Sequence, residues 1–226
     1  MKKNKHLFIA GDSTASNYTL DRFPRTGWGQ IIGNFFTNDL VVINTAVSGR
    51  SSKNFIEEGH FDNILKQISE GDYLFIQFGH NDQKEDKKRH TEPSTSYKSY
   101  LTRYIEGVRS IKAVPILLTP ISRRKFDSKG NIIDTHGDYS AAMLQLAKEL
   151  NVPIIDMCKK TKTYFQKLGR EKTKEIFLSL EPGENLNYPD GVEDNVHLSN
   201  YGAYQIAKLL IEVIEDLRLS IAKYIK

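Results

Sequence analysis

One serine near the start of the chain stands where an open α/β sheet places its reactive groups. Residues 6–10 are apolar and end at a glycine, which predicts a short buried strand. The run GDST follows at once, at residues 11–14. Because such sheets bind their ligands beyond the carboxyl ends of the strands, Ser13 is a candidate nucleophile. A serine hydroxyl is a weak nucleophile unless a base takes its proton, so the chain must supply that base.

A candidate base and a candidate acid lie close together near the other end of the chain, in the run DNVH at residues 194–197. Histidine is the residue type that most often accepts and returns protons in catalysis. Asp194 precedes His197 by three residues, so one turn of the chain can bring both side chains to the same side. The carboxylate would hold the imidazole in one tautomer and balance the imidazolium. We therefore predict a catalytic triad of Ser13, His197 and Asp194.

Two further turns offer hydrogen-bond donors for the negative charge that develops on an ester carbonyl oxygen. A Gly/Ser-rich run at residues 46–52 and the run GHND at residues 79–82 each follow a predicted strand. The backbone N–H groups of Ser13 and Gly49 and the side-chain amide of Asn81 are suitable donors. Glycine at position 49 would let the backbone approach a substrate, because no Cβ intervenes. We predict that these three groups form an oxyanion hole.

The predicted elements alternate between strands and helices. The predicted strands are residues 6–10, 41–44, 73–78, 115–119 and 153–157. The predicted helices are residues 27–36, 61–68, 97–108, 139–150, 157–168 and 200–219. The strand at residues 41–44 is continuous and β-branched, which is typical of a strand covered on both faces. Residues 83–92, 121–138 and 181–196 are predicted to be loops. This alternation predicts a parallel five-stranded α/β sheet in one domain over residues 1–226.

The composition is that of an ordinary globular chain of 226 residues, with 39 % hydrophobic and 27 % charged residues. The net charge of +4 is too slight over this length to predict nucleic-acid binding. No run approaches the roughly 20 apolar residues that cross a bilayer, so no membrane partner is expected. The apolar run after the lysine-rich start at residues 1–5 is too short for a signal peptide. We expect a cytoplasmic protein, unless an earlier leader was removed.

The order of these motifs resembles that of the SGNH (GDSL) hydrolase superfamily, whose four blocks carry Ser, Gly, Asn and His. Similarity to the bacterial rhamnogalacturonan acetylesterases extends to the runs GWG at 27–29, GRS at 49–51, RRKFD at 123–127, PGEN at 182–185 and NYP at 187–189. This resemblance implies a flavodoxin-like three-layer α/β/α sandwich with a five-stranded parallel sheet. It also implies removal of O-acetyl groups from acetylated, pectin-derived oligosaccharides, with no metal or organic cofactor.

Five residues are predicted to border a sugar-binding site. Trp28 could line that site or anchor the first helix by packing, and His80 could contact substrate or pack in a loop. Arg124 could bind a galacturonate carboxylate in a bidentate manner, or it could form a surface ion pair. The resemblance places Asn187 and Tyr188 in a loop on the catalytic edge of the sheet.

Two other functions stay open on the residues alone. The same triad could serve an acetylxylan esterase, a lysophospholipase or a thioesterase. A non-enzymatic, flavodoxin-like module could bind sugars or nucleotides, although a Gly-x-Gly-x-x-Gly run is absent from the sequence. His197 has no second histidine four residues away and no Cys/His cluster near it in sequence, so no metal site is predicted.

Overall fold

The computed structural model describes residues 4–226, so residues 1–3 of the lysine-rich start lie outside the described residues. A parallel sheet has its five strands in the order β2-β1-β3-β4-β5. Their bounds are β1 Lys5–Gly11, β2 Leu40–Asn44, β3 Tyr73–Gln77, β4 Val114–Leu118 and β5 Ile154–Ile155. A separate antiparallel pair consists of β6 Phe177–Leu180 and β7 Val192–Leu198.

Helices connect the parallel strands and follow the antiparallel pair. The α-helices are α1 Trp28–Ile31, α2 Ser52–Glu57, α3 His60–Leu65, α4 Lys98–Ser110, α5 Gly137–Glu149, α6 Met157–Lys172 and α7 Asn200–Asp216. Shorter helical turns are Leu20–Arg22, Ile32–Phe35, Pro93–Tyr97, Thr173–Ile176 and Ser220–Tyr224. Each predicted helix is present, whereas α2 was not predicted. Within residues 4–226, none of the helices has both the length and the apolar character that crossing a membrane requires.

The side chains of β1 alternate between two apolar cores, one on each face of the sheet. Leu7 and Ile9 pack with residues of α1, α6 and α7, whereas Phe8 and Ala10 pack with residues of α2 to α5. Successive side chains of a strand point to opposite faces, so an unbroken apolar run requires a helical layer on both. The predicted three-layer α/β/α sandwich with a five-stranded parallel sheet is confirmed.

The strand order creates a crevice beside β1. Because β1 lies between β2 and β3, the connections to its two neighbours run in opposite directions across the sheet. Open α/β sheets bind ligands at such a switch point, beyond the carboxyl ends of the strands. Ser13, Gly49 and Asn81 follow the carboxyl ends of β1, β2 and β3 in turn. The fold thus brings these three predicted site residues to one edge.

Two predicted strands differ from the structure. The prediction that β2 is covered on both faces is wrong, because β2 is an edge strand and the side chain of Val41 is 41 % exposed. Its β-branched residues reflect strand propensity, which edge strands share. The fifth strand is shorter than predicted, because only Ile154 and Ile155 pair with β4.

The prediction of a continuous loop over residues 181–196 is also wrong, because β7 begins at Val192. The pairing with β6 is irregular: Phe177 pairs with Leu198 and Ser179 with Glu193, so β7 carries three more residues than β6 between these pairs. Such a bulge redirects side chains away from regular alternation. The extra residues belong to the DNVH run, so the bulge sets the directions of Asp194 and His197.

Candidate active site

The side chains of Ser13, His197 and Asp194 form one hydrogen-bonded chain. Ser13 Oγ lies 3.0 Å from His197 Nε2. On the other side of the ring, His197 Nδ1 lies 2.5 Å from Asp194 Oδ2. Both distances are within hydrogen-bond reach, and the histidine stands between the hydroxyl and the carboxylate as a general base requires. The structure therefore brings together three residues from the two ends of the chain.

The carboxylate of Asp194 is fixed by its own segment. Its Oδ1 accepts hydrogen bonds from the backbone N–H groups of Val196, at 2.8 Å, and His197, at 2.9 Å. Partial burial raises its pKa, but the hydrogen bonds from the side chain and backbone of His197 outweigh this effect and lower the pKa to about 2. Asp194 is thus ionised at neutral pH and accepts the Nδ1 hydrogen of His197. The bulge, rather than a helical turn, supplies this geometry.

Three donors that follow the carboxyl ends of β1, β2 and β3 have hydrogens available for an oxyanion. Within the described residues, the backbone N–H groups of Ser13 and Gly49 donate to no protein acceptor. Asn81 Nδ2 donates one hydrogen to the carbonyl of Arg50 at 3.0 Å, and its second hydrogen is uncommitted. Gly49 has φ +79°, a left-handed conformation that a side chain disfavours. The residue type at position 49 therefore follows from the turn itself.

The turn that carries Gly49 is tied to the end of β3 by Asp82. This buried carboxylate accepts hydrogen bonds from the backbone N–H of Ser52, at 3.1 Å, and from the hydroxyl of Thr91, at 3.1 Å. It thereby caps the first turn of α2. Burial raises its pKa to about 7, although the bonds from Ser52 and Thr91 oppose this shift. Asp82 holds the glycine turn and Asn81 in a fixed relation.

Tyr18 and Arg25 support Ser13, and the sequence analysis missed both. The hydroxyl of Tyr18 donates to the backbone carbonyl of Ser13 at 2.7 Å. Arg25 Nη2 donates to the same hydroxyl oxygen at 2.9 Å, and its guanidinium lies 4.4 Å from the centre of the Tyr18 ring. Between Ser13 and α1, neither periodicity nor a motif distinguishes these two residues from their neighbours.

The predicted sugar contact of Trp28 is contradicted by the structure. Its side chain is fully buried, and its Nε1 donates to Gln77 Oε1 at 2.7 Å. The hydroxyl of Thr14 lies 3.3 Å from the same oxygen and 2.9 Å from Asp12 Oδ1, the nearer acceptor for its single hydrogen. Trp28 therefore anchors α1 and links it to the nucleophile turn. Gln77 was missed, although it is the one amide in the otherwise apolar third strand.

The side chain of His80 is buried rather than lining an open groove. Its ring lies edge-on against His136, with 4.4 Å between the ring centres. Burial lowers the pKa of His80 well below its usual value, and the positive charges of neighbouring groups act in the same direction. The ring is therefore neutral. A direct contact of His80 with substrate stays a prediction.

The predicted carboxylate contact of Arg124 is contradicted by its hydrogen bonds. Its side chain is only 9 % exposed. Its Nη1 donates to Asn195 Oδ1 at 2.8 Å, and its Nη2 donates to the carbonyl of Arg170 at 3.0 Å. The backbone N–H of Arg124 also donates to the carbonyl of Asn195 at 2.9 Å. Arg124 therefore holds the bulge that carries the aspartate and the histidine, and its Nη1 also forms a 3.5 Å ion pair with Glu193, as the alternative prediction had it.

Removing this support should destabilise the protein. We expect Arg124→Ala to lower the free energy of unfolding by about 1.5–3 kcal/mol, because a buried cation and its partners lose hydrogen bonds. Urea unfolding of the variant and the parent measures this loss. Arg22→Ala is a matched control, since the Arg22 side chain is 62 % exposed and forms a surface ion pair with Asp21. Equal unfolding midpoints for the two variants would show that Arg124 supports nothing.

The polar groups of Asn187 and Tyr188 also have partners within the protein. Asn187 Nδ2 donates to the carbonyls of Leu20 and Phe23, at 2.9 and 2.8 Å. The Tyr188 hydroxyl donates to the carbonyl of Arg22 at 2.9 Å. These bonds fasten one surface loop to another. A contact of Asn187 or Tyr188 with a sugar stays a prediction.

Across residues 4–226, no group of three or more His, Cys, Asp or Glu side chains is arranged as ligands for a metal ion. What the arrangement offers is acid–base and nucleophilic chemistry on a carbonyl group, with donors placed for the oxygen that becomes negative.

The fold and this arrangement are those of a known family. Residues 7–210 match the family model of the GDSL-like lipases and acylhydrolases, and the chain belongs to that family. Across 225 residues it is 44 % identical to the rhamnogalacturonan acetylesterase RhgT of Bacillus subtilis strain 168, covering 100 % of this chain and 96 % of that protein. It is 40 % identical over 221 residues to the probable rhamnogalacturonan acetylesterase YesY of the same organism, covering 97 % of each.

A solved structure supports the same assignment. The crystal structure of the Bacillus subtilis protein YxiM superposes with a TM-score of 0.82 at 28 % sequence identity. The match covers 96 % of this chain and 58 % of that one. The resemblance inferred from the motifs is therefore confirmed, both for the family and for its similarity to the Bacillus rhamnogalacturonan acetylesterases.

Proposed function

We propose that this chain is a serine esterase that removes O-acetyl groups from pectin-derived, rhamnogalacturonan-type oligosaccharides. The observation that carries the proposal is the continuous chain of hydrogen bonds from Ser13 through His197 to Asp194. The names of the two full-length relatives support the choice of substrate. The polar edge of the sheet agrees with a hydrophilic ligand.

In the first half of the reaction, Ser13 Oγ attacks the carbonyl carbon of the acetyl ester, and His197 Nε2 takes the hydroxyl proton. The oxygen that becomes negative accepts hydrogen bonds from the N–H groups of Ser13 and Gly49 and from Asn81 Nδ2. The bond between the acetyl carbon and the sugar oxygen then breaks. His197 returns its proton to that oxygen, which leaves as the sugar hydroxyl, and the acetyl group stays on Ser13.

In the second half, a water molecule attacks the acetyl-enzyme while His197 Nε2 takes one of its protons. The same three donors stabilise the second tetrahedral intermediate. That intermediate collapses to acetate, and Ser13 Oγ recovers its proton from the imidazolium. Asp194 stays ionised throughout, because its pKa lies near 2, and it balances the positive charge of His197 in both halves.

The surroundings of Ser13 favour a short acyl group. Ser13 and Asn81 are each 7 % exposed, so little room is open in front of them. Asp12 and His80, which flank them in sequence, are buried and have unpartnered polar atoms. A long alkyl chain in this place would have polar groups rather than an apolar pocket beside it, which costs free energy of binding relative to an apolar site. An acetyl group extends one methyl beyond the carbonyl and avoids that cost.

The test is acetate release from a panel of acetylated rhamnogalacturonan, homogalacturonan and xylan fragments. We expect the highest kcat/KM on the rhamnogalacturonan fragments. A second series, p-nitrophenyl esters from acetate to octanoate, should show activity falling beyond butyrate. A preference for xylan fragments would favour an acetylxylan esterase, and a preference for octanoate would favour a lipase or thioesterase. Binding of sugar without release of acetate would favour a non-catalytic module.

Asn81 should contribute to the rate rather than to binding. We expect Asn81→Ala to lower kcat on p-nitrophenyl acetate by roughly 10²- to 10³-fold, as removal of one oxyanion donor does elsewhere. KM should change much less, because the hydrogen bond to the oxygen strengthens as its charge develops. Asn63→Ala serves as a control, since that amide lies on α3, away from the sheet edge. A change in KM alone would place Asn81 outside the oxyanion hole.

A further inference from the structure

Unpartnered polar atoms are concentrated behind the nucleophile. Among residues 4–226, nine buried side-chain nitrogen or oxygen atoms have no hydrogen-bond partner. Four of these atoms belong to Asp12, His80 and Arg123. Asp12 precedes the nucleophile, and His80 precedes the amide of the oxyanion hole. Buried polar atoms usually have partners, so this concentration indicates a place built for a polar ligand.

Arg123 is the cation of this cluster. Its Nη2 donates to the carbonyl of His80 at 3.2 Å, its Nε is buried without a partner, and its Nη1 donates to no described residue. The side chain is half-buried, so the guanidinium still has access to solvent. No carboxylate of the described residues lies within 4.0 Å of its nitrogens. Burial lowers the pKa of Arg123, and the charge of Asp12 only partly opposes this.

Asp12 supplies a negative charge near Arg123 but, among the described residues, forms no direct ion pair with it. Asp12 Oδ1 accepts hydrogen bonds from the backbone N–H and the hydroxyl of Thr14, both at 2.9 Å. Burial raises the pKa of Asp12 to about 6, against the lowering effect of those bonds. His80 and His136 are buried, and burial lowers the pKa of His136 to about 4 and that of His80 well below its usual value, so both rings are neutral. The guanidinium is therefore a partly desolvated cation that experiences the charge of Asp12 without a direct ion pair and has donors free for a further anion.

The neighbouring Arg124 provides a contrast. Its guanidinium has acceptors on Asn195 and Arg170 and takes part in holding the bulge. Arg123 follows the same strand, lies one residue earlier, and has most of its donors unused. Arg124 thus holds the segment that carries the catalytic histidine, whereas Arg123 is available to a ligand.

We propose that Arg123 determines specificity by binding the carboxylate of a uronic acid unit at or next to the acetylated sugar. The proposal rests on the proposed function and deepens it, because it makes the enzyme selective for acidic over neutral acetylated saccharides. A guanidinium presents two parallel N–H donors that match the two oxygens of a carboxylate. The bond from Nη2 to the His80 carbonyl holds the guanidinium beside Asn81, the side-chain donor of the oxyanion hole. The enzyme would therefore bind the carboxylate and the ester of one substrate at the same time.

The test compares two substrates that differ only in charge. One is an acetylated oligogalacturonate, and the other is the same oligosaccharide with its carboxyl groups reduced to primary alcohols. We expect the parent enzyme to have a kcat/KM at least tenfold higher on the acidic substrate, and Arg123→Gln to reduce that ratio about tenfold. Arg123→Lys should restore part of it, because the charge returns without the fork. The difference should appear mainly in KM.

A control variant distinguishes a direct contact of Arg123 with the carboxylate from the general electrostatic effect of a nearby positive charge. Lys84 is an exposed cation whose charge also acts on His80. Lys84→Gln should leave the ratio close to that of the parent. An equal change of the ratio in Lys84→Gln, or an equal loss on both substrates in Arg123→Gln, would overturn the proposal. Thermal unfolding of each variant shows that the comparison concerns folded protein.

A binding measurement keeps this proposal separate from the proposed function. Calorimetric titration of the full chain with an unacetylated oligogalacturonate needs no turnover. We expect its Kd to rise about tenfold in Arg123→Gln and to rise little in Lys84→Gln. Acetate release without any effect of Arg123 on binding or on the ratio would overturn the role of Arg123 alone. Arg123-dependent binding without acetate release would overturn the proposed function alone.

Discussion

Ser13→Ala should abolish nearly all turnover, with kcat on p-nitrophenyl acetate reduced on the order of 10⁵- to 10⁶-fold. The reason is that the Oγ lost is the only atom of the triad that bonds to the acyl carbon. KM should stay near that of the parent, because the oxyanion donors and the sugar-binding edge are intact. Steady-state kinetics with carefully repurified protein measures the residual rate.

A labelling experiment provides the control for this variant. A fluorophosphonate should modify the parent at Ser13 and leave Ser13→Ala unlabelled. Ser128→Ala, which removes an exposed serine outside the triad, should label and turn over like the parent. If Ser13→Ala kept a tenth of the parent rate, another nucleophile would have to carry the reaction.

His197→Ala should lower kcat by a similar order of magnitude, because triad members act as a unit and Ser13 then has no base. The expected signature is loss of both acylation and labelling, since the fluorophosphonate also needs an activated hydroxyl. Rates at high pH should recover partly, because hydroxide can replace the missing base. Stopped-flow measurement of the p-nitrophenol burst separates acylation from deacylation.

Two further variants, one with a smaller expected loss and one with no expected loss, test the prediction for His197→Ala. Asp194→Asn should lose less than His197→Ala, about 10⁴-fold, because the amide keeps the shape but favours the wrong tautomer of the ring. His90→Ala changes a histidine on the exposed charged loop and should behave like the parent. A full loss in His90→Ala, or parent-like activity in Asp194→Asn, would contradict the roles assigned to the triad.

Much of the architecture could be predicted because apolar runs report burial directly. Residues 6–10 and 73–78 read as buried strands, and the structure covers them with helices on both faces. The alternation of strands and helices then fixes the parallel sheet. The edge position of β2 could not be predicted, since its composition resembles that of a central strand. The one-domain organisation stays a prediction.

Residue type predicted the triad better than it predicted the rim of the site. Ser13 and His197 could be paired because the chemistry of one requires the other. Trp28 and Arg124 were predicted to border a sugar site because of their residue types. The direction of each side chain decides its role instead: Trp28 points into the core, and Arg124 points at the bulge of β7. Hydrogen bonds to backbone groups, such as the carbonyl of Asn195, cannot be predicted from residue types, because every residue has the same backbone carbonyl.

The distance along the chain between nucleophile and base has a consequence for the timing of biosynthesis. Ser13 and His197 are 184 residues apart, so at about 5–20 residues per second the ribosome needs roughly 10–40 s to pass from one to the other. During that interval the nascent polypeptide has a hydroxyl with no base and cannot hydrolyse an ester. Catalytic competence therefore begins only after translation has passed His197, which makes activity a reporter of synthesis beyond that residue.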